Sequence, residues 1–376
     1  MKIFIFNLCQ TPIKALHPAW IRSLCQFDIS ARLAKKQGND VEHFRYVDDT
    51  SMQVAKFVSV FPTVKLPETN IGDFLGSLYI EANKQYKQED AAKAKLVLES
   101  GVTPKDILLA NIAEQENYFA AMNLHPGPTF WECSLLAEAG NFLQVLETMG
   151  ILLDYEPAGG DILLDATEDN LKPIALKKST GYTFLFKCLL YLYKQTAACD
   201  YVLLQCTDED TYITKYMAWF LTRLGRNNAA LTAARIKLNG TSASSRLSGL
   251  GDFTFSKIYE NFKGFDIADF RVGLRLYVLG QYDDMTKFNF DLAELKKAVI
   301  LALKIRKFLQ PYKTKANANH ALPRIFSRLT TVEILAKPSL AVKAFKEIYG
   351  LTKKEAGAGA DVVNEGLIYL TEVLGG

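Results

Sequence analysis

The run Asp200–Gly240, DYVLLQCTDEDTYITKYMAWFLTRLGRNNAALTAARIKLNG, narrows the choice of fold more than any other part of the chain. Tyr201–Cys206 is apolar without alternation, as a strand covered on both faces must be. The polar turn Thr207–Asp210 follows, then a helical stretch to about Leu224 and a second strand ending in Asn239-Gly240. One strand, one helix and a further strand make a β-loop-α-β unit, and in open α/β sheets the ligand sits at the carboxyl ends of the strands.

The N-terminus supplies a second unit of the same kind. Lys2–Leu8 carries Ile3, Phe4, Ile5 and Phe6 in one run. The loop Cys9–Pro18 is kept out of the helical region by Pro12 and Pro18. Ala19–Gln37 sets Trp20, Leu24, Phe27, Ala31 and Ala34 on one side, Gly38 is placed to end it, and Asp40–Val47 reads as the next strand. Such a unit is expected to be parallel with a right-handed crossover. The fold class expected is α/β: an open parallel Rossmann-like sheet with a large helical insertion and a helical C-terminal region. In residues, 1–60 and 160–285 form the sheet domain, 65–155 the insertion and 286–376 the C-terminal region. Within these, Asn70–Glu89 and Thr129–Met149 read as helices, Ile151–Tyr155 with Asp161–Leu164 as a hairpin or sheet edge, and Phe270–Leu279 as a further strand. Helices over Asp291–Leu309, Pro338–Tyr349 and Asp361–Leu374 finish the chain, with Lys353–Ala360 as a flexible link.

The first apolar run is short and lacks a small-residue cleavage site, so it reads as a strand and not a signal peptide. No apolar run is long enough to cross a bilayer, which gives no membrane role and a cytoplasmic expectation. The net charge of +3, from 44 basic and 41 acidic residues, is too small to argue for nucleic acid by itself, and nucleic acid is not expected as a partner. The partners expected instead are a peptide or another protein, with self-association left open. Cys9, Cys25, Cys133, Cys188, Cys199 and Cys206 form no C-x-x-C pair and lie in apolar stretches, so reduced, buried thiols are expected. His17, His43, His125 and His320 are scattered, which argues against a histidine metal cluster; no metal site is expected.

The candidate ligand-binding residues gather at the expected strand ends. Asn7, Gln10, Thr11 and His17 follow the first strand; Thr207, Asp208, Glu209 and Asp210 form the central turn. Asn239, Gly240, Thr241, Ser242, Ser244 and Ser245 follow the last strand of the unit. Three carboxylates at a strand end could bind a cation or ligand hydroxyl or supply a general base, and equally could complement a helix dipole. The serine-rich loop could cradle a phosphate or be a plain surface loop, and it matches no nucleotide fingerprint. The basic residues between Lys296 and Arg328 could meet an anion or form a solvated face. The terminal Gly375-Gly376 could be a processing signal or a helix end.

The order of elements resembles the N-terminal part of cobalamin-binding radical SAM proteins that mature ribosomal peptides. The residues that carry the likeness are Gly38-Asn39-Asp40-Val41, Asp200-Tyr201-Val202-Leu203-Leu204 and Ile236–Ser245, over 1–50 and 180–260. The resemblance implies cobalamin as the cofactor. The radical cysteine signature C-x-x-x-C-x-x-C is absent, so no iron–sulfur motif is present, and Asp40-Val41-Glu42-His43 has the wrong spacing for a cobalamin-ligating histidine motif. The function it implies is a ligand- or partner-binding accessory relative of peptide-modifying enzymes that has lost the radical machinery. Two alternatives stand beside it: a transferase using a nucleotide-linked donor, with Asp208, Glu209 or Asp210 as base or metal ligand, and a structural protein whose helices are assembly surfaces.

Overall fold

The computed structural model describes residues 1–7, 11–16, 18–87, 90–100, 105–155, 160–207, 210–233, 255–280 and 290–309. In chain order these form β1 (Lys2–Asn7), α1 (Pro18–Lys36), β2 (Asp40–His43), β3 (Arg45–Val47), α2 (Met52–Val60), α3 (Ile71–Gln85), α4 (Ala91–Ser100) and α5 (Lys105–Ala121). Next come β4 (Thr129–Trp131), α6 (Ala139–Thr148), β5 (Leu152–Tyr155), β6 (Asp161–Leu164), β7 (Ile174–Lys178), β8 (Gly181–Tyr182) and α7 (Phe184–Gln195). The rest are β9 (Tyr201–Thr207), α8 (Thr211–Arg223), β10 (Asn227–Ala233), α9 (Phe255–Glu260), α10 (Ile267–Gly280) and α11 (Leu292–Leu309). The expected helices Pro338–Tyr349 and Asp361–Leu374, the link Lys353–Ala360, His320 and Gly375-Gly376 lie outside the described residues.

The chain is an α/β protein. Its central sheet has the order β10-β9-β1-β2, every pair parallel. β1 shows why. Its side chains alternate across the sheet, sending Ile3 and Ile5 to one core and Phe4 and Phe6 to the other, all four buried. Helices α1, α10 and α11 cover the first face; α6, α7 and α8 cover the second. The expected strand Asp40–Val47 breaks at Phe44, and β3 then pairs in parallel with β4. Phe44 packs on Phe4 at 6.4 Å between ring centroids and Tyr46 on Phe6 at 5.8 Å, so β3 advances in step with β1. β3 and β4 thus make a separate two-stranded parallel sheet beside the central one. Strands β5-β6-β7-β8 form a separate antiparallel sheet.

Helix α1 ends as its sequence predicts: Gly38 takes φ +78°, Gly38 N donates to Lys35 O and Asn39 N to Ala34 O, with Lys35 and Lys36 at the negative helix end.

Two expected elements take other forms. Phe270–Leu279 is not a strand but part of α10. Phe270, Val272, Leu274, Leu276, Tyr277, Val278 and Leu279 are all buried, so nothing exposed marks a helical period. Thr129–Met149 is not one helix: Thr129-Phe130-Trp131 pairs with the open edge of β3, and α6 begins only at Ala139. A helix at Met52–Val60 was not expected; Ser51 caps it, accepting from Val54 N at 3.4 Å.

Helices α2, α3 and α5 between β3 and β4 bury a core of their own, and Ile13, from the segment after β1, is part of it. Asn111 on α5 donates to Pro12 O at 2.7 Å and Lys14 O at 3.0 Å, and Gln115 to Lys14 O at 3.1 Å. Gly72 on α3 lies so near Ala15 that a Cβ there would stand 2.8 Å from Ala15 Cα. The inserted helices thus hold the chain that leaves β1.

Candidate functional site

In the parallel sheet the chain passes from β1 to β2 on one side and later to β9 on the other. In open α/β sheets ligands bind at such a reversal, which makes the carboxyl ends of β1 and β9 the candidate site. Asn7 pairs in register with Gln205 there, and Thr207 lies two residues further along β9. The turn into α8 is tied to itself. Thr207 Oγ1 donates to Asp210 Oδ2 at 2.5 Å, Asp210 N to Thr207 O at 3.1 Å, and Thr214 N to Asp210 O at 3.0 Å. Asp210 is the N-cap residue of α8, although its side chain makes no bond to the helix amides. Gln205 is buried; its Nε2 donates to Ser23 O in the early part of α1, and its Oε1 has no partner. Of the candidates read from sequence, the structure brings Asn7, Thr207 and Asp210 to this edge and holds Thr11 beside the segment clamped by α5. Gln10, His17, Asp208, Glu209, Asn239, Gly240, Thr241, Ser242, Ser244 and Ser245 lie outside the described residues.

A second polar group, with no motif in the sequence, gathers after β3 and β4. Asp48, Asp49 and Thr50 follow β3 directly, Glu132 follows β4, and Lys187 stands in the first turn of α7. Glu132 is fully buried. Its Oε2 accepts from Tyr46 Oη at 2.8 Å and its Oε1 from Thr50 Oγ1 and Lys187 Nζ. Lys187 also donates to Thr50 O and Thr50 Oγ1, each at 3.0 Å. Asp49 Oδ1 accepts from Cys133 N at 2.9 Å. Burial lifts the Asp48 carboxyl well above the ordinary carboxylate range, and the charge of Glu132 pushes the same way against the pull of Lys187. Burial likewise raises Asp49 and, with Glu132 beside it, raises the Tyr46 hydroxyl well above its usual value. For Lys187 burial works against the charge, but Glu132 and Asp48 outweigh it and the ammonium is held. The group thus sets the Lys187 ammonium against Glu132, with burial and the charge of Glu132 favouring the uncharged form of Asp48. Burial, with the charges of Glu132 and Asp48 beside it, pushes the Cys188 thiol well above its usual value.

The signals for this group were faint but readable: a lone lysine inside the apolar run Phe184-Leu185-Phe186-Lys187-Cys188-Leu189, and paired acids at a strand end. A charge in such a helix is buried only when paired.

The Asp48 environment gives a pH prediction. The unfolded chain loses this proton near pH 4 and the folded chain keeps it to higher pH, so stability falls as pH rises through that interval. Asp48→Asn removes the slope and is expected to gain on the order of 1–2 kcal/mol at pH 7 and nothing below about pH 4. Urea unfolding at several pH values reads this directly, and a variant less stable than the parent at pH 7 would refute it.

No protein-family model matches the chain, and no curated protein matches it in sequence. Solved structures do match. The arginyl-tRNA synthetase of Plasmodium falciparum superposes with a TM-score of 0.66 at 14% identity, covering 100% of this chain and 76% of that one. The Thermus thermophilus arginyl-tRNA synthetase gives 0.63 at 14% identity over 100% and 73%. Mycobacterium tuberculosis methionyl-tRNA synthetase, in complex with methionyl-adenylate, gives 0.58 at 12% identity over 100% and 90%. These matches overturn the resemblance to cobalamin-binding radical SAM proteins, and with it cobalamin and the peptide-modification role. Neither the nucleotide-linked transferase nor the assembly protein agrees with them. The argument against nucleic acid falls too, because a near-neutral whole-chain charge says nothing of one local surface. The likeness that misled is an order of strands and helices that many α/β proteins share. Among the described residues no helix is long and apolar enough to cross a membrane. The fold of this chain is the α/β fold of these tRNA synthetases.

Proposed function

We propose that the chain is an aminoacyl-tRNA-synthetase-like ligase acting in the cytoplasm: it joins an amino acid carboxylate to the α-phosphate of ATP, releasing pyrophosphate, and passes the acyl group to a tRNA. The observation that carries this reading is the superposition along 100% of the chain, insertion included, on synthetases of which one holds methionyl-adenylate. The candidate site supports it. Helix α1 begins beyond the carboxyl end of β1, where its free amides favour a phosphate. Asn7, Thr207 and Asp210 offer polar groups at the same edge.

The test is ATP–pyrophosphate exchange with each of the twenty amino acids, followed by acylation of total tRNA. Exchange supported by one amino acid or a small set is the expected result. ATP in excess should also raise the melting temperature, since a ligand at 100 times its Kd adds about 2.7 kcal/mol. No exchange with any amino acid, together with no stabilisation by ATP, would sink the reading.

A further inference from the structure

The segment that joins β1 to α1 takes its path from the insertion. One side chain reads two of its carbonyls: Asn111 on α5, fully buried, donates through Nδ2 to Pro12 O at 2.7 Å and to Lys14 O at 3.0 Å. Both partners are acceptors, so the amide can meet them only with its nitrogen. Gln115, one turn further along α5, adds a donor to Lys14 O at 3.1 Å. The Lys14 ammonium donates to Gln53 Oε1 on α2 and stands 4.4 Å from the centre of the Tyr79 ring on α3. Ile13 is buried in the core that α2, α3 and α5 share, and Ala15 lies against Gly72 of α3. Four consecutive residues, Pro12 to Ala15, are therefore held by three helices that enter the chain only after β3.

Asn111 holds this place at a cost. Its Oδ1 is buried without a partner, on the side of Gly72, where a Cβ would stand 2.9 Å from it. A leucine would leave no orphan acceptor there, but it would take from Pro12 O and Lys14 O a donor that buried carbonyls need. The held segment starts four residues after β1 ends and stops two before α1 begins, so its path sets how the free amides of α1 stand to the strand end. A shift of about 1 Å in such a group can cost about 100-fold in what it binds or turns over.

We propose that Asn111 is a positioning residue: through its two hydrogen bonds the inserted helices set the path of residues 11–16, and with it the grip of the candidate site on the phosphates of a nucleoside triphosphate. The identity of that ligand rests on the synthetase reading above; the setting of the segment does not.

The test uses the full chain and two readouts, the dissociation constant for ATP by titration calorimetry and hydrogen exchange of the backbone amides of 13–16. Asn111→Leu nearly keeps the volume and removes both donors. It should weaken ATP at least about tenfold and speed exchange of these amides at least about tenfold. Val97→Ala on α4 loosens the insertion within a cluster that contains no residue of the segment, and should leave both readouts within about twofold of wild type. ATP affinity of Asn111→Leu within twofold of wild type, or an equal loss in Val97→Ala, would overturn the proposal. If Asn111→Leu does not fold, Gly72→Ala takes its place, since the added methyl presses on Ala15 and Asn111 together; it should weaken ATP at least about threefold, and unchanged affinity would overturn the proposal. A wild-type chain that does not bind ATP sinks the synthetase reading and the ligand half with it. The exchange comparison then decides the rest alone, and amides of 13–16 that exchange equally in Asn111→Leu and wild type would show that Asn111 does not set the segment.

Discussion

Replacing Arg275 with methionine is expected to cost about 3 kcal/mol at pH 7, the low end of what removing one partner of a buried pair costs. Arg275 is fully buried on α10, and its Nη2 meets Asp28 Oδ2 of α1 at 2.6 Å. It also donates to Met122 O at 3.1 Å and Asn123 O at 3.2 Å, carbonyls at the end of α5 that no helix amide reaches. Arg271 and Arg32 serve neighbouring carbonyls, and Arg32 also pairs with Asp28 at 2.9 Å. Arg32 therefore keeps part of the compensation, which is why the low end is expected. The cost should depend on pH in a defined direction. Burial alone would raise the Asp28 carboxyl, but Arg275, helped by His125 and Arg32, holds it at about 2. A depressed carboxylate contributes stability that is complete above the unfolded value near 4 and is lost as pH falls toward 2. Without Arg275 the same carboxylate is a net cost above pH 4, so the deficit of the variant should be largest at neutral pH and shrink by pH 3. Urea unfolding followed by circular dichroism at the two pH values measures it; an equal deficit at both would show that lost packing, and not the charge pair, sets the cost.

The central sheet was legible because burial on both faces leaves an unmistakable trace, a strand such as Ile3-Phe4-Ile5-Phe6 with no polar position. The same rule misled at Phe270–Leu279, since a helix buried all round carries an equally unbroken run and only its length of 14 residues separates the two. The candidate positions that could be placed from sequence are those that follow the strands directly. Asn7, Thr207 and Asp210 could be named because the topology fixes where strand ends go. Lys187 left a signal of its own, a charge inside an apolar run, but Glu132 and Lys187 stand 82 and 137 residues from Thr50 and no spacing rule joins the three into a group. The likeness to these solved structures could not be read either. At 14% identity the neighbours share a path of the chain, and a path leaves no motif.

Removing the charge of Glu132 should reverse the sign of the Asp48 substitution. In the wild-type protein Glu132 is the anion for Lys187 and Asp48 is the spare acid, so Asp48→Asn is stabilising at neutral pH. In Glu132→Gln the lysine loses its anion, and the raising influence of Glu132 on Asp48 disappears with it. Asp48, already within electrostatic reach of Lys187, then ionises and takes its place. That substitution should limit the cost of Glu132→Gln alone to about 1–3 kcal/mol. In the double variant no anion remains for a lysine that is 3% exposed, and the cost should rise to about 3–5 kcal/mol or the lysine must give up its proton. The coupling between the two positions is therefore expected to be at least about 2 kcal/mol, with Asp48→Asn gaining stability in one background and losing it in the other. A double-mutant cycle at pH 7 reads the sign. Additive changes would mean that Asp48 and Glu132 do not share the charge of Lys187, and that the acidic group after β3 is held by packing alone.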